Sequence, residues 1–254
     1  MTASIAALFR YPIKGFAPQQ QDSAQLNVAK AFPGDRLFAI EDGPSGFDPA
    51  APGFVSKQNF AVLAKYAKVA MATTIYDEAT GVLTATAQGQ PDFCEAINTQ
   101  AGKSAFCTWL AGLLAGETDA PLKMLDGLGH RFLDHPKGHV SVLNMASVRD
   151  LEQRLGRPVD PMRFRANIHV EGWPAWAELD WADRYLRLGD AQVIGFKPIV
   201  RCAATEVDPS TANRDIEMTT LLFNLYGHMH MGLYVQVTSA GAVTVGGEAT
   251  LLED

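Results

Sequence analysis

Apolar positions along this chain recur mostly at every second residue, in short runs broken by Gly, Pro and Asp. That spacing predicts strands, and helical spacing is confined to a few stretches. Ile5 to Tyr11 reads as a strand closed by Pro12, with Lys14 and Gly15 at its end. Pro33-Gly34-Asp35 is a turn, and Arg36 opens the apolar run Leu37 to Ile40. Glu41 to Gly53, crowded with Gly, Pro and Asp, reads as an exposed loop. Val69, Met71, Thr73 and Ile75 alternate as one face of a half-buried strand, and Thr80-Gly81 turns the chain into another, Val82 to Ala87. Phe106, Trp109, Leu110, Leu113 and Leu114 follow the spacing of an amphipathic helix that Gly116 stops.

The polar segment Glu117 to Pro121 interrupts the pattern and predicts a boundary between domains 1–118 and 119–254. Beyond it, His139 to Leu143 reads as a strand, and Ser147 with Asp150 resembles a capping box before the helical face Val148, Leu151, Leu155. Strands are predicted at Tyr185 to Leu188, Gln192 to Phe196 and Ile199 to Val207. Thr219 or Thr220 caps a short helix ending at Gly227, and Leu233 to Thr238 with Val243 to Val245 reads as a final hairpin. Many short strands with few helices predict a β-rich α+β fold, a barrel or sandwich decorated by helices, and disfavour parallel βαβ winding.

Composition narrows the function. A charged share of 19% and an apolar share of 47% are those of a globular chain. The formal charge of -7 argues against a nucleic-acid surface, which needs a basic face. Three cysteines supply neither a disulfide framework nor the four thiolates of an iron–sulfur cluster. The N-terminus lacks the basic start of a secretory signal, and no apolar run reaches membrane-spanning length, so a cytoplasmic location without a membrane span is expected.

Two groups of residues carry candidate chemistry. Cys202 follows Arg201 in KPIVRCAATEVDP, and a nearby cation favours the thiolate, which is both nucleophile and metal ligand. A small buried thiol serves equally as a core hydrophobe. Lys14, Arg36, Arg163 and Arg165 each lie at a predicted strand edge in an acidic chain, as a phosphate site requires. Arg201 and Cys202 point to opposite faces of a regular strand, so both reach one site only if the strand bends or ends there. The other group is His228 and His230, with Cys202 as a third zinc ligand, though no further ligand is spaced with them. His130, His135 and His139 sit in a Gly- and Pro-rich loop, and Trp173, Trp176 and Trp181 form either a substrate mouth or a hydrophobic lid.

The order YPIKG, GDRLFAI, HVSVLNMAS, RFRANIHVEG, KPIVRCAATEVDP, GLYVQV and VGGE resembles the MOSC family, and within it the two-part proteins of the amidoxime-reducing type. The resemblance implies an N-terminal β-rich MOSC-associated domain packed on a MOSC β-barrel, with molybdopterin between them. It implies that Cys202 ligates molybdenum and that Lys14, Gly15, Arg36, Asn144, Ser147, Arg165, Asn167 and Arg201 hold the cofactor. Gly15 stands where relatives often carry a hydroxyl residue, Lys57-Gln58 where Arg-Gln is common, and Gly247-Glu248 where Gly-Asp is usual.

The implied activity is reduction of N-hydroxylated small molecules on a molybdenum cofactor. Electrons would come from a separate donor of the ferredoxin, flavoprotein or cytochrome type. Pyridoxal phosphate, a flavin and an iron–sulfur cluster are not expected in this chain. The alternative is a non-redox carrier of sulfur or molybdenum cofactor, with a persulfide on Cys202.

Overall fold

A computed structural model describes residues 3–135 and 139–252. β1 (Ser4–Arg10) pairs antiparallel with β2 (Gln19–Gln21), and β3 (Ser23–Leu26) follows directly. After β4 (Phe38–Asp42), the strands β5 (Thr73–Tyr76), β6 (Val82–Thr86) and β7 (Phe93–Ala96) form an antiparallel meander. Helix α1 (Gln100–Leu113) is capped by the Thr99 hydroxyl, which accepts from the Gly102 N–H. β8 (Leu122–Asp126) then returns to pair with β4.

The second half opens with β9 (Val140–Asn144), α2 (Met145–Leu155) and β10 (Ile168–Glu171). β9 and β10 pair in parallel with α2 between them, so one βαβ unit is present where none is expected from the pattern. β11 (Tyr185–Leu188), β12 (Ala191–Val200), α3 (Met218–Tyr226), β13 (His230–Ser239), β14 (Gly241–Thr244) and β15 (Ala249–Leu251) complete the chain. The large sheet runs β15-β11-β12-β13-β9-β10-β1-β2. The segment of β1, next to last at one end, also meets that of β15 at the other: Ile5 N–H donates to the Gly247 carbonyl (2.8 Å) and Ala249 N–H to that of Ala3 (3.0 Å). The N-terminal strands thus build the second half's sheet, while β8 builds the first half's.

Several expectations are corrected by long-range packing. Tyr66, Val69 and Ala72 are buried at a spacing of three, through the 3-10 turn Ala67–Met71, and the strand begins only at Thr73. Its inward face is Thr74 and Tyr76, leaving Ile75 56% exposed. β13 and β14 make no hairpin, since β14 pairs with β3. The two strands predicted around Pro198 are one, β12, which passes the proline with register shifts on either side. The N-caps of α2 and α3 are Asn144 and Glu217, not Ser147 and a threonine. Gly156 and Gly227 do stop these helices, at φ 76° and 75°, where a glycine costs least.

Two main cores result. One joins α1 to the meander and includes Phe16, Phe106 and Trp109; the other fills the large sheet with Leu8, Val142, Val170 and Val235. His169 on β10 lies against Phe9, 4.9 Å between ring centroids, with no partner for Nε2. Burial depresses its pKa to about 4. The unfolded chain therefore takes up this proton first as pH falls from about 6.5, and stability is lost down to about pH 4, by about 3 kcal/mol. Urea unfolding of wild type and His169→Phe at pH 7 and pH 4.5 checks this, and the variant is expected to lose less stability on acidification.

Candidate functional site

A cleft of about 280 Å³ opens between the two halves, and seven of the nine residues expected to form the site line it: Lys14, Gly15, Arg36, Arg165, Asn167, Arg201 and Cys202. Local backbone explains how they converge. Ile13 bridges to Phe38, which brings Lys14 beside the turn carrying Arg36. Gly15 has φ 89°, and a Cβ there would lie 2.9 Å from Val62 Cα, so this backbone admits no side chain at Gly15. β12 ends at Val200, and Cys202 begins the 3-10 turn Ala203–Glu206. The chain leaves the sheet there, so Arg201 and Cys202 both reach the cleft. Thr205 fixes the turn, its N–H and hydroxyl each donating to the Cys202 carbonyl at 2.9 Å.

Arg36 and Arg165 share a conformation that L-residues rarely adopt, with φ 48° and 51°. Their guanidinium carbons both lie 4.5 Å from the centroid of the Tyr11 ring, which is wholly buried. Burial pushes the Tyr11 hydroxyl up to about 12 despite both arginines, so it stays neutral and donates to the Ala166 carbonyl at 3.3 Å. Burial brings Arg165 down to about 10, with the Arg36 charge acting in the same sense. Arg36 is also desolvated, but Asp35, with which it forms an ion pair, and Asp134 hold its pKa above the ordinary value.

Lys14 is 4% exposed and donates to the Phe132 carbonyl (2.9 Å) and to Asp134 (2.5 Å). Desolvation lowers its pKa more than Asp134 raises it. Against the same desolvation, Lys14, Arg36 and Lys57 hold the Asp134 carboxyl at about 2. Lys57 is desolvated too, yet the facing Cys202 sulfur keeps its pKa raised. Arg201 donates to the carbonyls of Phe164 (2.8 Å) and Met231 (2.8 Å), and burial lowers it to about 10.

Asn144 and Ser147 are fully buried and do not line the cleft. Asn144 caps α2 through the Ala146 N–H, and both side chains donate to Glu178, at 2.8 Å and 3.0 Å. Burial raises the Glu178 pKa despite those donors. Arg163 reaches the wall but is held by Asp208 (2.9 Å) and Asp215 (2.7 Å). Trp173 and Trp181 pack edge to face in the core at 4.8 Å, and Trp176 lies against Tyr226, so no tryptophan lines the cleft. His228 and His230 stack at 5.3 Å next to Tyr226 rather than Cys202, and among the described residues no group of three or more His, Cys, Asp or Glu could hold a metal. His135 and His139 do line the cleft, with ring nitrogens 3.1 Å apart.

Tyr11, Asp35, Asp134 and Tyr234 are site residues that the sequence did not single out. No spacing signal marks them, because their roles depend on partners far along the chain. The residues present fit an anionic cofactor with a soft metal. Arg165 Nη2 is buried without a hydrogen-bond partner, the surrounding cations suit a phosphate, and one thiol lines the same cleft.

Two family models cover nearly the whole chain: the MOSC N-terminal beta barrel domain over residues 2–119 and the MOSC domain over 129–250. The chain belongs to the MOSC family. It is 32% identical over 123 residues to mitochondrial amidoxime-reducing component 1 of Mus musculus and, in equal measure, of Homo sapiens. That match takes in 44% of this chain and 36% of each relative, so it spans about a third of their length. Among solved structures, the YUAD protein of Bacillus subtilis is 13% identical with a TM-score of 0.46, covering 98% of this chain and 94% of its own. YiiM of Geobacillus stearothermophilus is 20% identical with a TM-score of 0.36, over 45% of this chain and 54% of its own.

Proposed function

We propose that this chain binds a molybdenum cofactor and reduces N-hydroxylated small molecules, such as amidoximes or hydroxylamines, with electrons from a separate donor protein. The observation that carries this reading is that one cleft holds both a cation set, with an unpartnered Arg165 Nη2, and the Cys202 thiol. Lys14, Arg36 and Arg165 would hold the cofactor's phosphate, and Cys202 would ligate the metal. Arg201 ties the segment before β10 to β13 through the Phe164 and Met231 carbonyls, and Asn167 is tied to β9 through Ser141 and to β1 through the Phe9 carbonyl. When bound, the cofactor supplies a two-electron centre able to take an oxygen atom from the substrate. The matched relatives carry the amidoxime-reducing name, which supports this choice of substrate class.

A second reading is a sulfur carrier with a persulfide on Cys202, favoured by Lys57 facing the sulfur. One preparation separates the two. Protein from a host that makes molybdenum cofactor is expected to carry molybdenum and pterin, and to reduce benzamidoxime or a hydroxylamine with a chemical electron donor. Metal and pterin without N-reduction across such a panel sinks the oxidoreductase reading. Cyanide-labile sulfur on Cys202 without either establishes the carrier.

A further inference from the structure

The turn that carries Cys202 is held from both halves of the molecule. On its own side, the buried Arg163 guanidinium donates to the Glu206 carbonyl at 3.1 Å and to the carboxylates of Asp208 and Asp215. Toward the other side, Val207 packs in the core built on α1 and the meander. Arg214 spans the gap between them. Its Nη1 donates to the carbonyl of Ala203, the residue after Cys202, at 2.8 Å. Its Nη2 donates to the carbonyls of Leu63 (2.9 Å) and Ala64 (3.0 Å). Glu206 lies 3.6 Å from Nη1 and balances the charge.

Leu63, Ala64 and Cys202 all line the cleft. A guanidinium is planar and presents its donors in a fixed fork, so one side chain can hold three carbonyls in a set relation; an ammonium on a flexible stem cannot. We propose that Arg214 is a positioning residue for Cys202: by tying the Ala203 carbonyl to those of Leu63 and Ala64, it fixes where the thiol stands in the cleft. Without the fork, the packing of Ala204 and Val207 on the core of α1 and the meander still joins the turn to the other half, but it sets no direction for the Ala203 carbonyl. This role is independent of the reaction the thiol serves, so it can fail while the oxidoreductase reading stands, and the reverse.

Iodoacetamide alkylation followed by peptide mass tests it, because the rate at Cys202 is read separately from the rate at exposed Cys94. Arg214→Ala is expected to speed alkylation of the partly buried Cys202 about three-fold, as the freed turn opens, and to leave Cys94 unchanged. Arg214→Lys keeps the charge without the fork and is expected to behave like Arg214→Ala, which also decides the matter if the alanine variant does not fold. Thermal melting confirms that each variant is folded at the assay temperature. An unchanged Cys202 rate in both variants, or an equal acceleration at Cys94, overturns the proposal.

Discussion

Tyr11→Ala is expected to destabilise the protein by about 3–5 kcal/mol, the cost of deleting a fully buried aromatic side chain. Tyr11 is 0% exposed, and it sits where both halves meet. Its N–H donates to Asp35 at 2.6 Å, its carbonyl accepts from the Arg36 N–H at 2.8 Å, and its hydroxyl donates to Ala166 across the sheet. The backbone contacts survive the substitution, but the ring does not. Arg36 and Arg165 would then lose the face they lie on, leaving two desolvated cations beside a cavity. Tyr11→Phe keeps the ring and removes one long hydrogen bond, so it is expected to cost only about 1 kcal/mol. Urea unfolding at neutral pH checks both. A Tyr11→Ala loss near that of Tyr11→Phe would mean that the ring does not support the arginines.

The cations of the cleft were legible because each lies beside a strand end: Lys14 after β1, Arg36 before β4 and Arg165 before β10. Tyr11 was not, because an aromatic residue before Pro12 reads as the last residue of a strand. Its role exists only through β10, more than 150 residues later, and register between distant strands leaves no local mark. Ser147 shows the opposite failure. With Asp150 it mimics a capping box, yet Asn144 caps the helix, and Ser147 is needed by Glu178 from the tryptophan-rich segment. Ile75 fails for a related reason: its alternation with Val69, Met71 and Thr73 is real in the sequence, but a 3-10 turn shifts the phase before the strand begins. Where an edge residue acts through its own strand end, local pattern suffices; where it acts through a partner on another strand, pattern is silent.

Cys202→Ala is expected to lose molybdenum and N-reductive turnover by on the order of a hundredfold or more while retaining pterin. Under the proposed function two tasks fall to different residues. Anion binding would rest on Lys14, Arg36 and Arg165, whereas the thiol lies on the turn after β12. Removing the sulfur therefore leaves these proposed anchors and their carboxylate partners intact. The fold is expected to survive, because Cys202 is only partly buried and the bonds of its turn run through its backbone carbonyl to Thr205. A stability change within about 0.5 kcal/mol follows from that exposure. Arg165→Ala is the complementary variant: it removes the unpartnered Nη2, so pterin and metal are expected to leave together. Elemental analysis and pterin fluorescence on the three proteins decide between the roles. Metal retained in full by Cys202→Ala would remove the thiol from the ligand set, and pterin retained by Arg165→Ala would move the phosphate anchor to Lys14 and Arg36.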